Sequence, residues 1–240
     1  MQNNIYSQTS ASTVVDEGLR SYMLKVYNFM AGGLCLTALS AWLVLNTPLV
    51  NIFFNNTPQG LTLSGLGWLA LIAPIVLVFA FNWVVNSGTS TQVKLLFWSY
   101  AALNGIGFAP VFLLYTQSSL VRVFLITAGA FGALSLYGYT TKRDLSGMGS
   151  FLIMGLWGLI IATLVNLFLK SSGLDWALSI IGVGIFSGLT AYDSQMIRSI
   201  YVPGDIDDNI AKKALIGALK LYLDFINLFL YLLRFLGDRK

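Results

Sequence analysis

The chain has 240 residues, of which 56% are hydrophobic and only 10% charged, with a formal net charge of +4. Soluble domains carry about 25% charged residues, so this composition excludes an ordinary soluble domain. The basic residues cluster at the ends of apolar runs, where they set membrane topology and do not mark a nucleic-acid surface.

A bilayer core about 30 Å thick takes about 20 apolar residues per helix. Runs of that kind lie at residues 26–45, 66–85, 93–115, 120–140, 149–169, 176–198 and 212–235. They are twice the length of a barrel strand, and lipid cannot satisfy free backbone groups, so each is read as a helix. The fold class is all-α, a polytopic membrane protein of seven transmembrane helices, organised as a polar cytoplasmic segment 1–25 and a membrane domain 26–240. The first segment holds Asp16 and Glu17 and does not read as a cleavable signal peptide. Cys35, the one cysteine, sits in the first apolar run, where a packing role is expected.

The connection 46–65 is polar and uncharged, with Pro48 and Pro58 as turn formers. Pro74 and Pro110 fall inside spans two and three, where each removes a backbone hydrogen bond and is expected to kink its helix. Gly105 and Gly107 precede Pro110 and make span three a candidate bending element. Gly129/Gly132, Gly155/Gly158 and Gly184/Gly188 offer close helix approaches on spans four to six.

With the N-terminus inside, the cytoplasmic flanks carry Arg20, Lys25, Lys94, Lys142, Arg143, Arg198, Lys212 and Lys213, against Arg122 and Lys170 outside. The tail, with Arg234, Arg239 and Lys240, departs from this bias. Either the last segment crosses against its charge, or it re-enters and returns to the cytoplasm. Span seven carries Lys220 and Asp224 in its middle, a composition that places it at the centre of the bundle, shielded by the other six.

Asp193 and Asp224 are the only acids well inside the apolar runs; the other eight lie at their ends or between them. A carboxylate at membrane depth costs a few kcal/mol and marks a functional site by default. Asp193 shares a helix face with Phe186, Leu189, Thr190 and Ile197, and Asp224 with Gly217, Lys220, Asn227 and Tyr231. At about 1.5 Å per residue, Asp224 lies roughly 16 Å from Lys213. Asp193 lies roughly 14 Å from the end of a helix continued to residue 202. The depths allow a pair. Two carboxyls in low dielectric do not both ionise, so the pair is expected to hold one proton near neutrality. With the proton, a short hydrogen bond clamps spans six and seven; without it, two charges repel and form a site for a hard cation. Lys220 either pairs with Asp224 one turn away or snorkels toward the cytoplasm, the second being preferred. Tyr192, Thr190 and Asn227 are candidate tuning residues, as hydrogen-bonding neighbours of the two acids.

Weaker patterns carry less. Asp205, Asp207 and Asn209 imitate the start of a calcium loop, but Ile210 and Ile216 stand where Gly and Glu are needed, so a solvated loop is expected. Tyr192-Asp193 with a second intramembrane acid invites an aspartyl protease reading, yet Tyr222-Leu223-Asp224 lacks the Gly-x-Gly-Asp such an enzyme would show. No phosphate loop, Ser/His pair or cofactor box is visible, and neither an enzyme nor a bound cofactor is expected.

The blocks Gly188-Leu-Thr-Ala-Tyr-Asp-Ser-Gln195, Leu221-Tyr-Leu-Asp-Phe-Ile-Asn-Leu-Phe229 and Phe131 to Ser146 closely resemble the Bax inhibitor-1 family, in its bacterial branch, over residues 18–240. The resemblance implies a seven-helix fold with the last helix central. It also implies a multi-pass inner-membrane protein that leaks calcium in a pH-sensitive way, gated by an aspartate pair that falls here on Asp193 and Asp224. Calcium is then the transported ion, with those two acids as its binding residues, and protons, lipid and other membrane proteins are the partners. In some members a basic residue on the second helix latches the aspartates. Span two here has no Lys or Arg, which leaves Lys220 as the candidate. Two other classes stay open. One is a non-conducting regulator that binds membrane proteins such as a quality-control protease; the other is a proton-coupled transporter, for which no inverted repeat is evident.

Overall fold

A computed structural model describes residues 2–57 and 60–240, with side chains from residue 17 onward except 56, 60, 61 and 82. In chain order the elements are α1 (Gln2–Asn46), α2 (Val50–Phe53), β1 (Phe54–Thr57), β2 (Gly60–Leu63), α3 (Gly65–Ser87), α4 (Ser90–Leu114), α5 (Gln117–Thr140), α6 (Ser146–Leu169), α7 (Ser172–Ser199) and α8 (Asp207–Leu236). Seven helices are long and apolar enough to cross a membrane: Glu17–Asn46 within α1, and α3 to α8. These are the seven predicted spans. Side chains such as Phe79, Trp83 and Phe168 are 75%, 73% and 82% accessible, an exposure that lipid tolerates and water does not.

Helix α1 runs unbroken from Gln2 to Asn46. Two features depart from the sequence expectation. The connection 46–65 is not plain loop: α2 leads into an antiparallel hairpin, with Phe54 opposite Leu63 and Thr57 opposite Gly60. Pro58 lies outside the described residues. Cys35 is exposed and does not pack inside, because its side chain falls on the outward stripe of α1.

The chain forms two compact units, one the chain up to Gly107 with Ile197–Leu219, the other Phe108–Met196 with Lys220–Lys240. The division of α4 falls beside Gly105, Gly107 and Pro110, and both α3 and α4 continue as helix through their prolines.

In the first unit α1 packs on the start of α4. Thr37 donates to the carbonyls of Gly33 and Ala101 at 2.9 and 2.8 Å, and the Gly105 backbone lies against the Thr37 carbonyl with no room for a side chain. Before α8, Asp205 takes the Lys213 ammonium at 2.7 Å and the Asn209 amide at 3.2 Å. Asp208 accepts the Ser90 amide at 3.1 Å. These oxygens serve the start of a helix, in keeping with a solvated loop and not a calcium loop. Lys213 and Asn209 hold the Asp205 carboxyl below the usual carboxylate range. A depressed native value gives stability that is present above the unfolded value of about 3.9 and lost as pH falls through the native one. Asp205→Asn is therefore expected to lower Tm at neutral pH, with the gap to wild type closing below about pH 4. A gap that persists in acid would show that something other than this charge is lost.

In the second unit the chain end is tied back to the α4–α5 connection. The Thr116 amide donates to the Asp238 carbonyl at 3.1 Å and the Lys240 amide to the Leu114 carbonyl at 2.9 Å. Arg122 meets the Asp238 carboxylate at 2.9 Å, and Arg234 meets Asp175 at 3.2 Å. The tail thus lies at the same end as the α4–α5 and α6–α7 connections. Helix α8 is unbroken over 30 residues, about 45 Å, which is long enough for a full crossing and lacks the break of a re-entrant segment. Its most apolar stretch is 56% buried, against 11% to 44% for the other spans. That burial is why α8 can carry Lys220 and Asp224 in its middle.

Candidate functional site

The site forms where α7 meets the second half of α8, and α5 sets their spacing. On α5 the residues Val123, Thr127, Phe131, Ser135 and Gly138 make one buried stripe. At Gly138 the backbone lies directly against the Ala191 carbonyl of α7, an approach any side chain would block. One turn earlier Ser135 and Ser194 are 2.8 Å apart. The Ser194 hydroxyl also reaches the Thr190 carbonyl of its own helix at 2.7 Å. Just beyond Gly138, Gln195 accepts the Leu145 amide at 2.8 Å and donates to the Arg143 carbonyl at 2.7 Å. This fastens the α5–α6 connection to α7 two residues from Asp193. In that connection Asp144 accepts both the amide and the hydroxyl of Ser146, which holds its carboxyl below the usual range. Phe131 and Phe124 of α5 set their rings edge-on to Phe225 of α8, with centroids 5.4 and 5.6 Å apart.

Within this frame α7 and α8 bring their polar stripes together. The ring of Tyr231 lies against Gly182 and stacks on Phe186 at 5.7 Å. Below it, Asp193 and Asp224 interact directly as neighbouring carboxyls. Both are buried, at 8% and 5% accessible, and Asp224 Oδ2 has no hydrogen-bond partner. The two acids singled out in the sequence are therefore neighbours. Helix α7 ends at Ser199, which leaves Asp193 about 9 Å from its helix end rather than 14 Å. The pair forms regardless, because packing and not end-counting sets the contact.

Lys220 adopts neither expected placement. Its ammonium is 3.6 Å from Asp193 Oδ1, across to α7, and so it neither pairs with Asp224 on its own helix nor snorkels toward the helix start. The three tuning candidates do not point their bonds at the pair. The Thr190 hydroxyl donates to the Phe186 carbonyl and the Asn227 amide to the Leu223 carbonyl, both at 2.8 Å and both within their own helix. The Tyr192 ring covers Gly149 of α6. Sequence reasoning missed Ser135 and Ser194, which are joined across 59 residues; the available signal was a hydroxyl beside Asp193 and another on the buried stripe of α5.

The glycine pairs fare unevenly. Gly188 meets Leu152 and Gly155 meets Ile185, whereas Gly129, Gly132, Gly158 and Gly184 have open space where a side chain would go.

Chemically, the arrangement offers two buried carboxyls, one of them with an unpartnered oxygen, and one ammonium. Among the described residues no group of three or more His, Cys, Asp or Glu is assembled. Two carboxylates supply at most four of the six to eight oxygens that calcium takes.

A membrane-embedded seven-helix fold with a carboxyl pair between its last two helices defines a class of small polytopic membrane protein. The chain belongs to the family described as inhibitor of apoptosis-promoting Bax1, whose pattern matches residues 19–240. It is 46% identical over 226 residues to the inner membrane protein YbhL of Escherichia coli (strain K12), covering 93% of this chain and 94% of that one. It is also 46% identical to an uncharacterized protein of Rickettsia prowazekii (strain Madrid E), over 97% of this chain and 95% of the other. The uncharacterized protein YrjE of Lactococcus lactis is 36% identical over 98% and 95% of the two chains. The seven apolar helices and the YbhL likeness together support a multi-pass inner-membrane protein.

Proposed function

We propose that this protein is a passive calcium leak channel of the inner membrane, with its N-terminus in the cytoplasm, gated by the proton shared between Asp193 and Asp224. The observation that carries the reading is the buried carboxyl pair with one Asp224 oxygen left unpartnered. An unmet buried carboxylate oxygen is costly, and both a proton and a hard cation relieve it. With a proton between them the carboxyls bind each other and hold α7 to α8. When the proton leaves, the charges separate and offer oxygen to a divalent ion. Weak coordination suits passage, since an ion must enter and also depart. The charged group against the pair is Lys220.

The test is calcium entry into proteoliposomes carrying a trapped indicator. Leak is expected to rise as pH is raised, because the shared proton is then lost. Absence of calcium movement at every pH, with a membrane protease retained on the purified protein, would favour the regulatory reading instead.

A further inference from the structure

Lys220 sits where a mobile cation would sit. Its Nζ is 3.6 Å from Asp193 Oδ1, close enough for an ion pair and too long for a good hydrogen bond. The side chains grade from open to closed: Lys220 is 42% accessible, Asp193 11%, and Asp224 Oδ2 is fully enclosed and unpartnered. The ammonium therefore approaches the pair from its open side and leaves the inner oxygen unmet. A lysine is a compact charge on a flexible four-carbon stem, able to leave as well as to bind.

We infer that Lys220 is a tethered cation which occupies the divalent-ion position on the Asp193–Asp224 pair and must be displaced for an ion to bind, making it the residue that sets cation affinity. This rests on the carboxyl pair being the ion site, as proposed above. The argument is one of charge and place. Two carboxylates balance one divalent ion, and a third positive charge at 3.6 Å opposes it. Because Lys220 and Asp224 are on one helix, the tethered charge moves with the site and competes at every ion concentration.

Calcium binding to the full-length protein in detergent, and calcium flux in liposomes at one fixed alkaline pH, test this together. Lys220→Met and Lys220→Gln are each expected to bind calcium on the order of tenfold more tightly and to leak faster. Lys220→Glu, which adds a third carboxylate, is expected to bind more tightly still while passing calcium more slowly. If Asp193→Asn with Asp224→Asn binds calcium as wild type does, the ion-site reading itself fails. If that variant loses binding while Lys220→Met and Lys220→Gln match wild type, the pair stands and the tethered-cation role is overturned. If neither neutral variant gives folded, monodisperse protein, Lys220 is a structural counter-charge and the role is likewise overturned.

Discussion

Calcium flux through Asp193→Asn with Asp224→Asn is expected to lose its dependence on pH while the protein stays folded. One shared proton can change the open fraction by up to about tenfold per pH unit on the acid side of its titration; the double variant should show a flat profile. Asparagine matches aspartate in volume and keeps a hydrogen-bonding group on each side. The α7–α8 contact then keeps its stack of Phe186 on Tyr231 and the α5 ring contacts to Phe225. Neither single variant is equivalent to the double. Asp193→Asn strips Lys220 of its recorded partner and leaves a positive charge beside Asp224, whereas Asp224→Asn keeps the Lys220–Asp193 ion pair. The second is therefore expected to be the better folded of the two, since breaking a partly buried pair costs more than leaving it whole. A double variant whose leak still rises with pH would place the sensor elsewhere and remove the pair from the gate.

The membrane class was legible because the bilayer imposes one length and one composition, and all seven runs obey both. The site was legible because a charged residue at depth is rare enough to be noticed singly. Rotation of each helix about its axis was not legible. Spacing alone selected Gly129, Gly132, Gly158 and Gly184, which face open space, while the close approaches fall at Gly138, Gly149 and Gly182. The same gap explains Lys220. Sequence places it one turn from Asp224 on one face, but whether its stem runs along that helix or across to Asp193 depends on how α7 is turned. The Ser135–Ser194 bond was hidden for a related reason, as nothing local links residues on α5 and α7. The hairpin strands Phe54–Thr57 and Gly60–Leu63 escaped because they are only four residues each, a length at which turn chemistry is the better guide.

Gly138→Ala is expected to destabilise the protein even though alanine is the better helix former. The propensity gain is about 1 kcal/mol. Against it, a side chain at Gly138 would strike the Ala191 carbonyl, and overpacking a tight contact costs about 1–3 kcal/mol. Here the obstacle is backbone, which cannot swing aside as a long side chain can, so the upper part of that range applies and Tm falls. Gly129→Ala on the same helix is the control: it has open space, so only the propensity gain remains and its Tm should hold or rise. The consequence also reaches the site. Ala191 is two residues before Asp193, and Ser135 is three before Gly138, so forcing α5 off α7 loosens the Ser135–Ser194 bond and moves Asp193 relative to Asp224. Folded Gly138→Ala protein should therefore show a shallower pH response of calcium leak than Gly129→Ala. Equal Tm and equal pH response in the two variants would mean that the α5–α7 contact does not set the geometry of the pair.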